Sequence, residues 1–317
     1  MEKLKTYLKQ AILMWLAGFR EACCLHRIFI FCSRSKTLLK RTGQCFLLNG
    51  LIFLGSLFML NSVVIPILLW ILPDQCERFG SRDICDAGVL LKFYSASRFI
   101  LIELFYVLWF YPLYIFSFIL SNIWYNDIAK NAFAVMEGSS IEGEILSSEG
   151  TKHSDRPAGV DGVIIGIGEQ MFSVLLLSFF FIEVFATGFL PHIGKPINFV
   201  LLSWMYSYYC FEYKWNYFEM SLEKRLNFFE SNWAFFAGFG SPCVLAIFFF
   251  SPLVSYGVMA ILFPLFVLTA TGTQAEQVIN HQQRSWNGCR LGKLPIFYAA
   301  NNFSLQVLQI WKNDKEQ

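Results

Sequence analysis

Two carboxylates stand inside apolar runs of this sequence, Glu103 in FILIELFYVLWF and Glu183 in FFFIEVF. A carboxyl group surrounded by hydrocarbon can take up a proton or a cation, or it can be held neutral by burial while hydrogen-bonding a neighbouring helix. Glu103 lies about ten residues into its run, or about 15 Å at 1.5 Å per residue. Arg98 is five positions away, a spacing that puts the two side chains on different helix faces. Thiols offer a second chemistry. Cys76 and Cys85, in QCERFGSRDIC, suit a disulfide in an oxidising compartment and free thiols elsewhere. Cys23, Cys24 and His26 read C-C-x-H, without the paired ligand spacing of a zinc site; Cys23 and Cys24 are also open to acylation beside a membrane. The four histidines, His26, His153, His192 and His281, are scattered. GVIIGIG at Gly162 to Gly168 is not the GxGxxG fingerprint. With no nucleophile–base pair, the sequence predicts no enzyme, no catalytic residue, no cofactor and no metal.

The elements that must carry these groups are membrane helices. Of the 317 residues, 56% are hydrophobic, 18% aromatic and 15% charged, against roughly 25% charged in soluble domains. The net charge of +2 and the lack of a basic stripe exclude nucleic acid. Cys45 to Leu72 and Phe93 to Leu120 are each long enough for a hydrocarbon core of about 30 Å. Gln170 to Leu190 with Ile197 to Tyr213, and Ala234 to Phe250 with Pro252 to Ala270, are shorter and interrupted by Gly and Pro, so each pair is either two spans or one re-entrant hairpin. The expected class is therefore an all-α integral membrane protein: two long spanning helices and two Gly/Pro-broken helical hairpins, about six membrane segments. Residues 1–44 form an N-terminal segment, 45–272 the membrane domain with an acidic disordered loop at about 137–160, and 273–317 a C-terminal segment.

Nine Lys and Arg residues before the first span hold the N-terminus in the cytosol by the positive-inside rule, and an even number of crossings returns the C-terminus to the same side. Cys76 and Cys85 then face the lumen, and the sequon at Asn302 is silent. Leu8, Ile12, Trp15 (or Leu16), Phe19, Cys23, His26 and Ile30 recur at steps of three and four, which predicts an amphipathic interfacial helix in preference to a cleaved signal.

Glu212 and Lys214 in SYYCFEYKW mark the exit of a helix into the cytosol, with Tyr206, Tyr208, Tyr209, Tyr213, Trp215 and Tyr217 as an aromatic belt at headgroup level. Beyond it Trp215, Phe218, Leu222, Leu226, Phe229 and Trp233 form an apolar stripe. No Pro or Gly falls between Ile197 and Ala237, so the helix is expected to continue into the cytosol or bend along the surface, its stripe covered by lipid, by another helix of the chain or by a partner.

YCFEYKW (Tyr209 to Trp215), RLNFFESNWAFFAGFGSP (Arg225 to Pro242) and ILFPLF (Ile261 to Phe266), in that order, resemble the etoposide-induced protein 2.4 homologue family, as does WYNDIAK (Trp124 to Lys130). Trp124, Asp127, Tyr209, Cys210, Phe211, Glu212, Tyr213, Trp215 and Pro264 are the motif positions, with no chemical role to carry over. The resemblance implies a multi-pass endoplasmic reticulum membrane protein required for autophagy, distantly similar to CysZ-type sulfate permeases with their hemi-penetrating hairpins. Two functions follow as expectations. One is a non-enzymatic scaffold in the bilayer, recruiting membrane or cytosolic proteins or a second copy through the stripe. The other is a permease for a small anion such as sulfate, held by backbone N–H groups at the broken hairpins, where a side chain at Gly240 would crowd it.

Overall fold

The computed structural model describes residues 2–71, 96–97, 99–104, 106–143, 160–286 and 291–316, among which all regular structure is helical. The chain opens with α1 (Glu2–Ala22) and α2 (His26–Arg34). Ser35 then accepts the Leu38 N–H through its hydroxyl, satisfying an orphan donor at a helix start. From there α3 (Lys36–Ile67) runs without a loop, although Leu47–Leu54 and Leu60–Val64 within it are π-helical. A π-helical Tyr106–Phe110 leads into α4 (Tyr111–Gly143). The remaining helices are α5 (Val160–Thr187), α6 (Gly194–Tyr217), α7 (Leu222–Ser231), α8 (Trp233–Leu245), α9 (Pro252–Gly272), α10 (Ala275–Arg284) and α11 (Tyr298–Glu316).

Among the described residues, four stretches are long and apolar enough to cross a bilayer: Lys36–Ile67, Phe99–Met136, Gly168–Thr187 and Val254–Gly272. The two expected hairpins are present as α5–α6 and α8–α9, but the second has unequal arms. With 13 residues, α8 reaches about 20 Å at 1.5 Å per residue, short of a hydrocarbon core of about 30 Å.

That short helix is the centre of the packing. Ala234 to Val244 is buried throughout except at Pro242, between α1 on one side and α6 on the other. A Cβ placed on Gly238 would overlap the Trp15 carbonyl, one on Gly18 the Phe235 carbonyl, and one on Gly240 the Ser203 carbonyl. Small residues are what allow backbones to come this close. The N-terminal helix is accordingly more than an interfacial anchor. Its inward face is the small set Ala11, Met14, Gly18 and Ala22, while Leu8 and Ile12 of the predicted stripe point away from the protein.

Of the two courses expected beyond Trp215, the straight continuation is ruled out and the chain bends after Tyr217. At the end of α6 the Met220 N–H bonds the Trp215 carbonyl at 3.0 Å and the Glu219 N–H bonds the Asn216 carbonyl at 3.2 Å, the Schellman arrangement that terminates helices. It places Glu219 at φ 51°, a position where Gly is usual. Arg225 then holds the corner shut, donating to the Met220 carbonyl at 2.7 Å and to Asn216 Oδ1 at 2.6 Å. The turned chain folds the stripe back onto α6 and α8. Trp215, Leu222 and Phe229 are buried, Leu226 and Trp233 are half-buried, and Phe218 alone of the six is exposed, at 51%. Phe229 stacks on Phe236 with ring centroids 4.3 Å apart and meets Tyr208 edge-on at 5.5 Å. The predicted headgroup belt is corrected with it: Tyr208 and Trp215 are buried, because this face of α6 meets protein rather than the interface.

Candidate functional site

The tyrosines of α6 that do not enter the aromatic core enclose space instead. A cavity of about 600 Å³ lies between α4, α6 and α9, with Phe181 of α5 at its edge. Tyr206, Tyr209 and Tyr213 face it from α6, Tyr114, Ser121, Asn122 and Tyr125 from α4, and Ser255, Tyr256, Met259 and Ala260 from α9. The lining carries no charged side chain.

Beside the cavity a proline creates a polar node. Pro264 has no N–H, so the carbonyl four residues earlier, that of Ala260, loses its helical partner. Two side chains replace it: Tyr125 Oη donates to the Ala260 oxygen at 3.0 Å and Asn49 Nδ2 at 3.3 Å. Asn49, fully buried in the first π-helical stretch of α3, also donates to Ser121 Oγ at 3.0 Å and accepts from the hydroxyl of Ser117. This explains the motif proline ILFPLF, and it ties α3, α4 and α9 together. Sequence reading missed this stripe; its signal was Tyr114, Ser117, Ser121 and Tyr125 at steps of three and four along an otherwise lipid-compatible helix.

A second polar cluster lies where the N-terminal segment meets the ends of α6 and α9. Lys214 Nζ donates to the Thr273 carbonyl at 2.7 Å and to that of Thr271 at 3.4 Å, capping α9 with a cation where the helix dipole favours one. Arg27 binds Glu21 at 2.7 Å and Thr273 Oγ1 at 3.0 Å. Burial pushes the Lys214 ammonium down to about 8, opposed by Glu276 and reinforced by Arg27. The charge at the end of α6 thus locks a junction as well as marking an exit. On the other side of α7, Glu230 Oε1 accepts the Phe297 N–H at 3.1 Å and Glu230 Oε2 pairs with Lys293 at 3.2 Å, fixing the entry to α11.

The remaining predicted residues are distributed as follows. Glu212 lies beside Arg225 and Ser173, and Cys210 and Phe211 are buried, Phe211 against Phe239 at 4.8 Å. Trp124 packs beside α2 and α3, and Asp127 pairs with Arg41 at 3.5 Å. Glu103 is exposed, and Glu183 is half-buried with one oxygen shielded and without a hydrogen bond; the two stand on different helices and neither lines the cavity. Gly240 faces the Ser203 backbone, where it serves helix packing. Cys76 and Cys85 lie outside the described residues. Among the described residues no group of three His, Cys, Asp or Glu is placed to hold a metal.

Helices of this length and apolarity, with uncharged polar nodes inside and charged junctions at the helix ends, define an all-α integral membrane protein. More specifically, the chain belongs to the family described as Sulfate transporter CysZ/Etoposide-induced protein 2.4, which matches residues 24–264. It is 60% identical over 311 residues to "Protein EI24 homolog" of Arabidopsis thaliana, covering 96% of each chain. It is 28% identical over 307 residues to "Protein EI24 homolog" of Dictyostelium discoideum, covering 96% of this chain and 87% of that one. "Ectopic P granules protein 4" of Caenorhabditis elegans is 28% identical over 162 residues, half of this chain and 46% of its own. No solved structure matches.

Proposed function

We propose that the chain is a multi-pass endoplasmic reticulum membrane protein acting in autophagy as a non-enzymatic scaffold, with both termini cytosolic. The family supports the compartment and process. One observation carries the scaffold reading: after the chain buries most of its own stripe, Phe218 stays exposed at a groove of about 330 Å³ shared with Trp215, Met220, Phe228 and Gln274 to Gln277. An aromatic side chain at a helix end, beside a recess with Trp215, Met220 and Phe228 on its walls and Lys214 and Glu276 among them, is the kind of anchor that protein interfaces use. In cells lacking the chain, wild type should restore autophagic flux and Phe218→Asp should not, at equal protein level and membrane insertion. Full rescue by Phe218→Asp removes the groove from the scaffold reading.

The family description includes sulfate transport, which supports a second reading, an anion permease. Sulfate uptake by proteoliposomes, measured against empty liposomes, distinguishes the two: uptake absent from wild type leaves the scaffold.

A further inference from the structure

We propose that the tyrosine-lined cavity is a binding site for a neutral, hydroxyl-bearing lipid of the sterol class, entered sideways from the bilayer. The inference is independent of the scaffold reading. Charge is the first discriminator. A dianion taken out of water requires cations or a dense set of donors, and the lining of this cavity holds no Lys, Arg or His. A neutral amphiphile has no such requirement, and aromatic walls with a few placed polar groups are the usual composition of sites for it.

Size and access agree with charge. About 600 Å³ lies within the roughly 300–1,000 Å³ range of small-molecule sites. Phe181 at the edge of the cavity is 53% exposed on α5, one of the helices apolar enough to cross the membrane, so the mouth opens on a lipid-facing surface. The polar groups are also in the right state. The Tyr125 hydroxyl is committed to Ala260 and the Tyr256 hydroxyl is shielded beside Ser117, which leaves the half-buried Tyr206 and Tyr209 to offer hydroxyls to the cavity. In a bilayer an unsatisfied hydroxyl is costly, and a ligand hydroxyl reaching Tyr206 or Tyr209 would satisfy it.

The test uses the full chain purified in detergent and a photoreactive cholesterol analogue. Labelling should saturate, should be competed by unlabelled cholesterol but not by sulfate, and should map to α6 or α9. Tyr206→Phe with Tyr209→Phe keeps the shape and removes two hydroxyls. Affinity should fall roughly tenfold, the factor that about 1.4 kcal/mol represents. Asn122→Trp, at an exposed position on the rim, should block labelling without disturbing the core, as an unchanged gel-filtration profile and melting midpoint would show. Labelling that cholesterol fails to compete, that persists undiminished in Asn122→Trp, or that sulfate displaces overturns the proposal.

Discussion

At the scale of single residues, the charged side chains of the family motifs act on backbone. Lys214 occupies carbonyls at the end of α9, Arg225 the Met220 carbonyl in the corner after α6, and Glu230 the N–H that opens α11. Lys214 and Glu230 satisfy groups that a helix end leaves without intrahelical partners. Lys214 makes this testable through pH. Its folded pKa of about 8 lies below the ordinary 10.5, so between those values the unfolded chain binds more protons than the folded one. Stability contributed by this group therefore rises with pH across about 8 to 10.5, and below 8 the full cost of charging a buried ammonium is present. The stability of wild type minus that of Lys214→Met, followed by thermal unfolding in detergent, should climb over that window. A flat difference would mean that Lys214 is not held in the shielded site described.

At the scale of elements, glycine and proline do different work at different places. Gly240 brings α8 against the Ser203 backbone, whereas a Cβ on Gly43 in α3 meets nothing within 4 Å. Gly240→Ala should cost about 1–3 kcal/mol through overpacking, and Gly43→Ala should stabilise by roughly 0.5–1 kcal/mol; equal effects would contradict the backbone contact. Pro264 gives a double-mutant test. Asn49→Leu strands buried hydroxyls and weakens the replacement for the missing helix bond, at about 1–3 kcal/mol. In a Pro264→Ala background the helix supplies that bond itself, so the cost of Asn49→Leu should shrink by about 0.5 kcal/mol or more. Additivity within about 0.3 kcal/mol would mean that the node is not coupled. The hairpins were legible in the sequence because Pro191, Gly194 and Pro196, and later Ser251-Pro252, punctuate apolar runs. A bend beyond Trp215 was only one of two courses open in the sequence, because Glu219 takes a backbone conformation usually given to Gly and Arg225 holds it from six residues away. The cavity was hidden for a related reason: tyrosines at a helix end look alike whether they face headgroups or other helices, and only the packing partner separates the two.

At the scale of the whole molecule, the cluster around Thr273 limits the topology. Glu21 and Arg27 from the N-terminal segment, Lys214 from the end of α6 and Thr273 from the end of α9 meet within hydrogen-bonding distance. Segments that share one polar junction share one side of the membrane. The N-terminal segment with its basic residues, the α6–α7 corner and the start of α10 are therefore on one face, and the turns at 188–193 and 246–251 lie at the far ends of α6 and α9 from it. The proposed orientation, with the basic N-terminal segment in the cytosol, puts that shared face there, and the contacts at Thr273 call for an even number of crossings between Arg27 and Thr273. In sealed microsomes, epitope tags at both ends should be removed by added protease, and Asn302, within α11, should carry no glycan. A glycan on Asn302 would invert the orientation. Protection of one tag alone would require an odd number of crossings, which between Arg27 and Thr273 would break the hydrogen bonds that join Thr273 to Arg27 and Glu21.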